Sequence, residues 1–252
     1  MQKTRSQDGT TLAYERVGEG QPLILVLGAC NDRKTGAPLA AALSRHFSVF
    51  SYDRRGRGDS TDAATYAVER EVEDFEAMLA VAGGAANVFG YSSGAMLALE
   101  AAGSGLPLRK LALYELPPGT APEHPAQLRA LVEAGRRGDA LEYFQERVVG
   151  IPAQVVQQLR AAPFRKGLEA IAHTLVYDTT LTTRGRASPE LLAKVEPPTL
   201  AIAGGASIPS MREVSEALAR QLPRGKSCVL EGATHDLDPS RLAPVLLDFF
   251  GA

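Results

Sequence analysis

The chain has 252 residues, of which 45% are hydrophobic and 22% charged, an ordinary composition that excludes disorder over its whole length. Its 27 basic and 29 acidic residues give a formal charge of −2. Without a basic surplus, we expect no nucleic-acid partner and no binding to anionic membranes. The two cysteines and four scattered histidines predict neither a disulfide framework nor a metal site.

The N-terminal segment is polar, and no apolar run reaches the length of about 20 residues that a transmembrane helix needs. Together with the sparse cysteines, this favours a cytoplasmic location. The sequence leaves open whether the protein is a monomer or a homodimer.

Apolar runs of strand length recur along the chain. Asp8-Gly9 is a hairpin turn signal, and a loosely alternating segment, 11–17, follows it. Later runs are apolar without alternation, which is typical of strands buried on both faces of a parallel sheet. They lie at 22–28, 49–52, 86–90, 110–114 and 198–203, with a last short strand at 227–230.

Helical spacing separates these runs, at 68–82, 93–102, 211–222 and 242–250. This alternation predicts an α/β fold, a mainly parallel sheet flanked by helices. The middle of the chain differs, because it carries helical patterns at 126–134, 139–149, 153–161 and 166–176 and no convincing strand. We therefore expect a core of residues 1–116 and 196–252, with residues 117–195 inserted as a helical cap over the carboxyl edge of the sheet.

The segment Gly90–Gly94 has the sequence Gly-Tyr-Ser-Ser-Gly and fits the pattern G-x-S-x-G. It follows a predicted strand and opens a predicted helix, which is the context that a nucleophilic serine requires. The flanking glycines leave room for a strained turn that exposes the Ser92 hydroxyl. The next amide, that of Ser93, lies at a helix N-terminus and can stabilise an oxyanion. A turn of small residues used only for packing is the alternative.

A second polar, glycine-rich turn, Asp53–Ser60, follows the strand that ends at Tyr52. It lacks the ending of a phosphate-binding P-loop and the spacing of a dinucleotide fingerprint. We interpret it as a structural loop that borders the site and is held by its own ion pairs and hydrogen bonds.

These segments together resemble the α/β-hydrolase family. Asp53–Ser60 is similar to its D-x-R-G-x-G-x-S loop, Gly90–Gly94 to its nucleophile elbow, and Glu231–His235 to its terminal histidine loop. The resemblance extends over the whole chain. It implies a small-molecule substrate and no cofactor, with Ser92 as nucleophile and His235 as the general base that takes its proton.

The acidic member of the site departs from the family pattern. An Asp is usual after the strand that here spans Thr199–Ala203, but the loop 204–210 contains no carboxylate. Some relatives, such as haloalkane dehalogenases, place the acid after the preceding strand, which here ends at Glu115. A buried carboxylate needs a partner, and His235 would supply one, so we predict Glu115. Asp236, Asp238 or no acid at all are the alternatives.

The oxyanion hole also departs from the usual His-Gly pattern, since this chain has Leu27-Gly28-Ala29-Cys30. The donor in the family is a backbone amide, so by position Ala29 should supply it beside Ser93. Cys30, Asn31 and Tyr91 are candidates to line the pocket, and we interpret Cys30 as a small apolar filler rather than a reactive thiol.

The resemblance thus predicts a serine hydrolase that cleaves an ester-like bond of a small or medium apolar substrate through an acyl-enzyme. Serine at position 92 argues against epoxide hydrolase and dehalogenase chemistry, which normally use Asp there. A ligand-binding or sensing protein with low turnover is one alternative. A cofactor-free perhydrolase or haloperoxidase is another, and a thioester, amide or C–C bond as the target is also open.

Overall fold

The computed structural model describes residues 1–183 and 188–251, in which eight strands form one sheet. The order across the sheet is β1-β2-β4-β3-β5-β6-β7-β8. Strand β2 is antiparallel to both of its neighbours, and the other pairs are parallel. The strands are β1 Gln2–Arg5, β2 Thr11–Val17, β3 Gln21–Val26, β4 Phe47–Tyr52, β5 Ala86–Tyr91, β6 Leu108–Tyr114, β7 Thr199–Gly204 and β8 Gly225–Leu230. The predicted α/β class is confirmed.

Helices cover the sheet and fill the long connection after β6. The helices outside that connection are α1 Ala37–Leu43, α2 Val68–Val81, α3 Ser93–Gly103, α10 Pro209–Gln221 and α11 Pro239–Gly251. Between β6 and β7 lie α4 His124–Glu133, α5 Arg137–Tyr143, a π-helical turn Phe144–Val149, α6 Ala153–Leu159, α7 Arg165–Ala170, a 3₁₀ turn Ala172–Thr174, α8 Leu175–Thr183 and α9 Pro189–Leu192. No helix within 1–183 or 188–251 is both long and apolar enough to cross a bilayer.

The continuous apolar runs serve two cores, one on each face of the sheet. In β3, Ile24 and Val26 join the cluster under α2, α3 and α10, whereas Leu23 and Leu25 join the cluster under α1 and α11. Successive strand side chains point to opposite faces, so a strand covered on both sides needs apolar residues at every position. This explains why these strands show no alternation.

The helices between β6 and β7 have an apolar cluster of their own, made of Leu128, Ala140, Leu141, Ala172, Leu175 and Val176. One predicted helix here, 166–176, is wrong, because α7 ends at Ala170 and a 3₁₀ turn follows. The hydroxyl of Thr174 donates to Ile171 O at 2.7 Å. A threonine side chain that bonds a nearby carbonyl in this way competes with the regular helical pattern.

Adjacent strands bring the predicted functional positions to one edge. Tyr91 at the end of β5 pairs in register with Tyr114 at the end of β6, and Tyr114 pairs with Ile202 of β7. The ladder continues beyond the strands, since Ser92 N donates to Tyr114 O and Glu115 N donates to Ile202 O, both at 2.9 Å. The residues that follow these strands therefore lie side by side.

Candidate active site

Ser92 occupies a strained turn between β5 and α3. Its backbone angles are φ 55° and ψ −126°, which a residue with a side chain rarely adopts. The flanking glycines permit the turn, because a Cβ at Gly90 would lie 2.6 Å from Ala95 Cα and a Cβ at Gly94 would lie 2.2 Å from Val26 O. The backbone thus holds the serine at the carboxyl edge of the sheet.

Glu115 directly follows β6 and is fully buried. Its carboxylate accepts hydrogen bonds from Gly204 N at 2.7 Å, from Ser207 Oγ at 2.7 Å and from His235 Nδ1 at 3.0 Å. Burial would raise the pKa of Glu115, but the hydrogen bonds from His235, Gly204 and Ser207 outweigh it and lower that pKa below its ordinary value. Glu115 is therefore a buried carboxylate whose two oxygens both accept hydrogen bonds.

His235 lies in the loop between β8 and α11, and two tyrosines fix that loop. Tyr91 Oη donates to His235 O at 2.9 Å, and Tyr114 Oη donates to Thr234 O at 2.5 Å. The Tyr91 ring centroid also lies 5.1 Å from that of the imidazole. The side chain is 41% exposed, so one edge of the ring faces Glu115 while the rest reaches open space.

The two other carboxylates near His235 in sequence are placed differently. Asp238 accepts hydrogen bonds from Ser240 and pairs with Arg241 at 3.3 Å. No hydrogen bond joins Asp236 to His235 in the part of the chain that the structure describes. Glu115 is the carboxylate within hydrogen-bond distance of the imidazole.

A cavity of about 370 Å³ opens onto this edge of the sheet. Its wall includes Ser92, Glu115 and His235 together with Ala29 and Ser93. Apolar side chains make up much of the rest: Pro117, Pro118, Phe144, Val148, Val149, Ile208 and Met211. Within the described residues Ser92 Oγ is not hydrogen-bonded to His235, although both side chains border the same space.

The three residues predicted to line the pocket are not among those that border this cavity. Tyr91 is turned toward the backbone of His235, and Asn31 Nδ2 donates to Ala29 O at 2.7 Å. Cys30 packs against the apolar cluster of the α4–α8 helices. Burial, followed by the charge of Asp178, raises the pKa of the Cys30 thiol to about 12, which fits an inert packing role.

The segment after β3 lies against the Ser92 turn. A Cβ at Gly28 would lie 2.8 Å from Ser92 Cβ and 3.2 Å from Ser93 N, so the absence of a side chain lets the two segments meet. Cys30 then turns the chain with a φ of 62°. The peptide that carries the Ala29 N–H is thereby brought beside the N-terminus of α3.

The contacts that hold the loop Asp53–Ser60 differ from those predicted. Some of its bonds are internal, as when Ser60 Oγ donates to Asp53 O at 2.6 Å. Its arginines, however, pair with carboxylates outside the loop: Arg54 with Glu71 at 2.6 Å and with Asp178 at 2.9 Å, Arg55 with Asp74 at 2.7 Å, and Arg57 with Asp178 at 2.8 Å. The expectation of self-contained ion pairs was wrong, since the partners come from α2 and α8.

Asp178, which was not predicted from the sequence, lies on the cavity wall and is 1% exposed. The available signal was a single acidic residue in a run of threonines, and nothing local links it to arginines more than 120 positions earlier. Across residues 1–183 and 188–251 no group of three or more metal-ligating side chains could hold a metal ion.

A sequence profile of the alpha/beta hydrolase family matches residues 23–245. The chain belongs to that family. A curated relative, the uncharacterised hydrolase YraK of Bacillus subtilis, is 34% identical over 96 residues, which is 36% of this chain and 35% of the relative's length.

The solved structures that resemble this chain over nearly its full length include the following two. An alpha/beta hydrolase from Sphaerobacter thermophilus has a TM-score of 0.93 and 47% identity, covering 99% of this chain and 100% of that one. A thermophilic esterase from Thermogutta terrifontis, solved with malate bound, has a TM-score of 0.75 and 25% identity, covering 100% of this chain and 97% of its own.

Proposed function

We propose that the protein is a serine hydrolase that cleaves an ester bond through an acyl-enzyme. One arrangement carries the proposal: Ser92 on its strained turn shares a cavity with His235, whose imidazole is oriented by the buried carboxylate of Glu115. A serine hydroxyl needs a base to become nucleophilic, and an imidazole held in one tautomer by a carboxylate supplies it.

The reaction would run in two halves. Ser92 Oγ attacks the ester carbonyl carbon while its proton passes to His235 Nε2, and the oxyanion forms between the amides of Ala29 and Ser93. Collapse breaks the bond to the alkoxy oxygen, which leaves as the alcohol with the proton from His235. Water then gives a proton to His235, attacks the acyl carbon and releases the acid, and the proton returns to Ser92.

The lining of the cavity supports an apolar substrate of small or medium size. A volume of about 370 Å³ is near the lower end of small-molecule sites. Asp178 offers no free charge to a substrate, because Ser93, Arg54 and Arg57 already occupy its oxygens. An uncharged acyl group and alcohol therefore suit this cavity.

We also propose that residues 117–195 form the cap of this site. The support is that the segment has its own apolar cluster and contributes about half of the cavity wall, including Pro117, Phe144, Val148 and Asp178. Such an insertion would determine which acyl and alcohol groups fit, while the sheet edge would supply the chemistry.

The test is turnover of a panel of p-nitrophenyl esters from acetate to octanoate. Ser92→Ala should lower kcat by at least roughly 10⁴-fold, as in other serine hydrolases that lose the nucleophile. Ser104→Ala, at the opposite end of α3 and exposed, is the matched control and should keep full activity. A fluorophosphonate probe should label the wild type and not Ser92→Ala.

Other outcomes would favour the alternatives. Binding of these esters without turnover or labelling would support a ligand-binding protein. Acid-dependent bromination in the presence of hydrogen peroxide would support a perhydrolase. Equal ester turnover by the wild type and Ser92→Ala would refute the proposed mechanism.

A further inference from the structure

Besides its ion pair with Asp178, Arg57 makes one further contact, to the segment that follows β3. It is 1% exposed, and its Nη1 donates to the carbonyl oxygen of Gly28 at 2.8 Å. The peptide group that contains this carbonyl also contains the N–H of Ala29. A buried guanidinium is thus bonded to the carbonyl end of the peptide whose N–H belongs to Ala29, a residue of the cavity wall.

We propose that Arg57 is a positioning residue for the oxyanion hole, held in place by Asp178. This inference rests on the proposed function. A cationic donor at a carbonyl oxygen forms a strong hydrogen bond and fixes the plane of the peptide. It also polarises the peptide, which makes the N–H at the opposite end a better donor to a developing negative charge.

Asp178 links this peptide to the second donor. Its Oδ2 accepts from Arg57 Nη2 at 2.8 Å, while its Oδ1 accepts from Ser93 Oγ at 2.6 Å. Ser93 is the residue whose backbone N–H is the other predicted oxyanion donor. The buried carboxylate of Asp178 therefore holds both Arg57, which binds the Gly28–Ala29 peptide, and Ser93. Asp178 comes from α8, in the proposed cap.

The charge balance also favours an oxyanion at this place. A lone carboxylate on the cavity wall would repel a negative transition state, but Asp178 lies between two guanidiniums, those of Arg54 and Arg57. Arg54 is in turn paired with Glu71. The formal charges of these four side chains sum to zero. Loss of Arg57 would therefore leave a net negative charge close to the oxyanion hole, and the Gly28 carbonyl would lose its hydrogen bond.

The experiment compares an aryl ester with its thionoester, in which sulfur replaces the carbonyl oxygen. Sulfur is the poorer hydrogen-bond acceptor, so turnover of the thionoester depends less on the oxyanion hole. Arg57→Met should lower kcat for the ester by about 10- to 100-fold, less than the roughly 100- to 1,000-fold loss on removing a donor outright. KM should stay near the wild-type value, and the ester-to-thionoester rate ratio should fall.

The matched control is Arg55→Met. Arg55 is equally buried and belongs to the same loop, but it pairs with Asp74 and Asp8 and makes no bond to Gly28 or Ser93. Its replacement should leave the rate ratio at the wild-type value, whatever it does to stability. Arg57→Lys keeps a cationic donor near Gly28 O and should give an intermediate ratio, which also tests the proposal if Arg57→Met folds poorly.

The outcomes separate this inference from the function on which it rests. An active wild type whose Arg57 variants lose ester and thionoester turnover equally, or lose neither, would overturn the positioning role and leave the hydrolase intact. A wild type without turnover of either substrate would overturn both.

Discussion

In the proposed triad, Glu115 would take the place of an acid that comes from the neighbouring strand. Parallel strands lie about 4.8 Å apart, so a carboxylate after β6 can reach nearly the same point as one after β7. Here the chain after β7 contributes donors in place of an acid, since Gly204 N and Ser207 Oγ both bind Glu115. They stabilise the buried charge at the position where it faces His235 Nδ1.

Replacing Glu115 by glutamine tests its proposed role. Glu115→Gln keeps the shape but removes the charge that orients and stabilises the imidazolium, so kcat for ester hydrolysis should fall by roughly 10²- to 10⁴-fold. The measurement is steady-state kinetics with a p-nitrophenyl ester. Asp236→Asn and Asp238→Asn are the controls and should keep near wild-type kcat. A strong loss in either control, with Glu115→Gln fully active, would assign the acid elsewhere.

Some residues of the proposed site could be predicted from the sequence, and others could not. Ser92 and His235 lie in local motifs, and Glu115 followed from a buried strand that ends in a charge. Asp178 had no such signal, because its arginine partners are more than 120 positions away and only the folded chain brings them together. Whether a side chain such as Tyr91 borders a cavity depends likewise on packing that no local pattern encodes.

The β5–turn–α3 unit is the element on which the site depends. Its helix approaches β3 so closely that a Cβ at Gly94 would lie 2.2 Å from Val26 O. The contact is to backbone and cannot relax by a rotamer change. The small residues of this turn therefore set the distance between Ser92 and the segment that carries Ala29.

A pair of glycine substitutions tests this close approach. Gly94→Ala should lower the free energy of unfolding by at least about 1–3 kcal/mol, the range for overpacked sites, and should reduce activity. Gly167 lies on the exposed face of α7, with no atom within 4 Å of an added Cβ. Gly167→Ala should therefore raise the free energy of unfolding by about 0.5–1 kcal/mol. Urea unfolding measures both. A neutral Gly94→Ala would show that the turn is not tightly packed.

At the level of elements, the strands were predictable and α8 was not. The apolar runs of the central strands are long and continuous, which a sheet covered on both faces requires. Helix α8 carries threonines, which are poor helix formers. Their hydroxyls bond carbonyls one turn earlier, as Thr179 does to Leu175 O at 2.7 Å and Thr180 to Val176 O at 2.7 Å. The proposed boundaries of the cap remain predictions.

Across the whole molecule, the small net charge conceals many carboxylates whose charge is held by hydrogen bonds or by arginines. Burial raises the pKa of Asp8, but hydrogen bonds from Thr10 and Arg55 outweigh it and lower that pKa to about 2. The pKa values of Glu115 and Asp178 are also lowered, against burial, by hydrogen bonds and by neighbouring arginines respectively. The pKa of Asp74 shifts the other way, because burial dominates there.

These shifts predict how stability depends on pH. A carboxylate with a lowered folded-state pKa binds fewer protons in the folded chain than in the unfolded one, so its contribution is lost as the pH falls. Among the described carboxyl groups with a shifted pKa, eight are lowered and that of Asp74 is raised. The free energy of unfolding should therefore drop below about pH 4.5. Asp8→Asn should make the fall between about pH 4 and pH 2 shallower. Urea titrations at several pH values measure this, and a stability that rises on acidification would contradict it.

The most direct test of the proposed chemistry is to find the acyl group on the protein. The wild type is mixed with excess p-nitrophenyl ester, quenched in acid within the first turnovers, digested and examined by mass spectrometry. We expect one added acyl mass, on the peptide that contains Ser92, and none in Ser92→Ala. Ester turnover with no acylated peptide, or with the acyl group on another residue, would contradict the proposed mechanism.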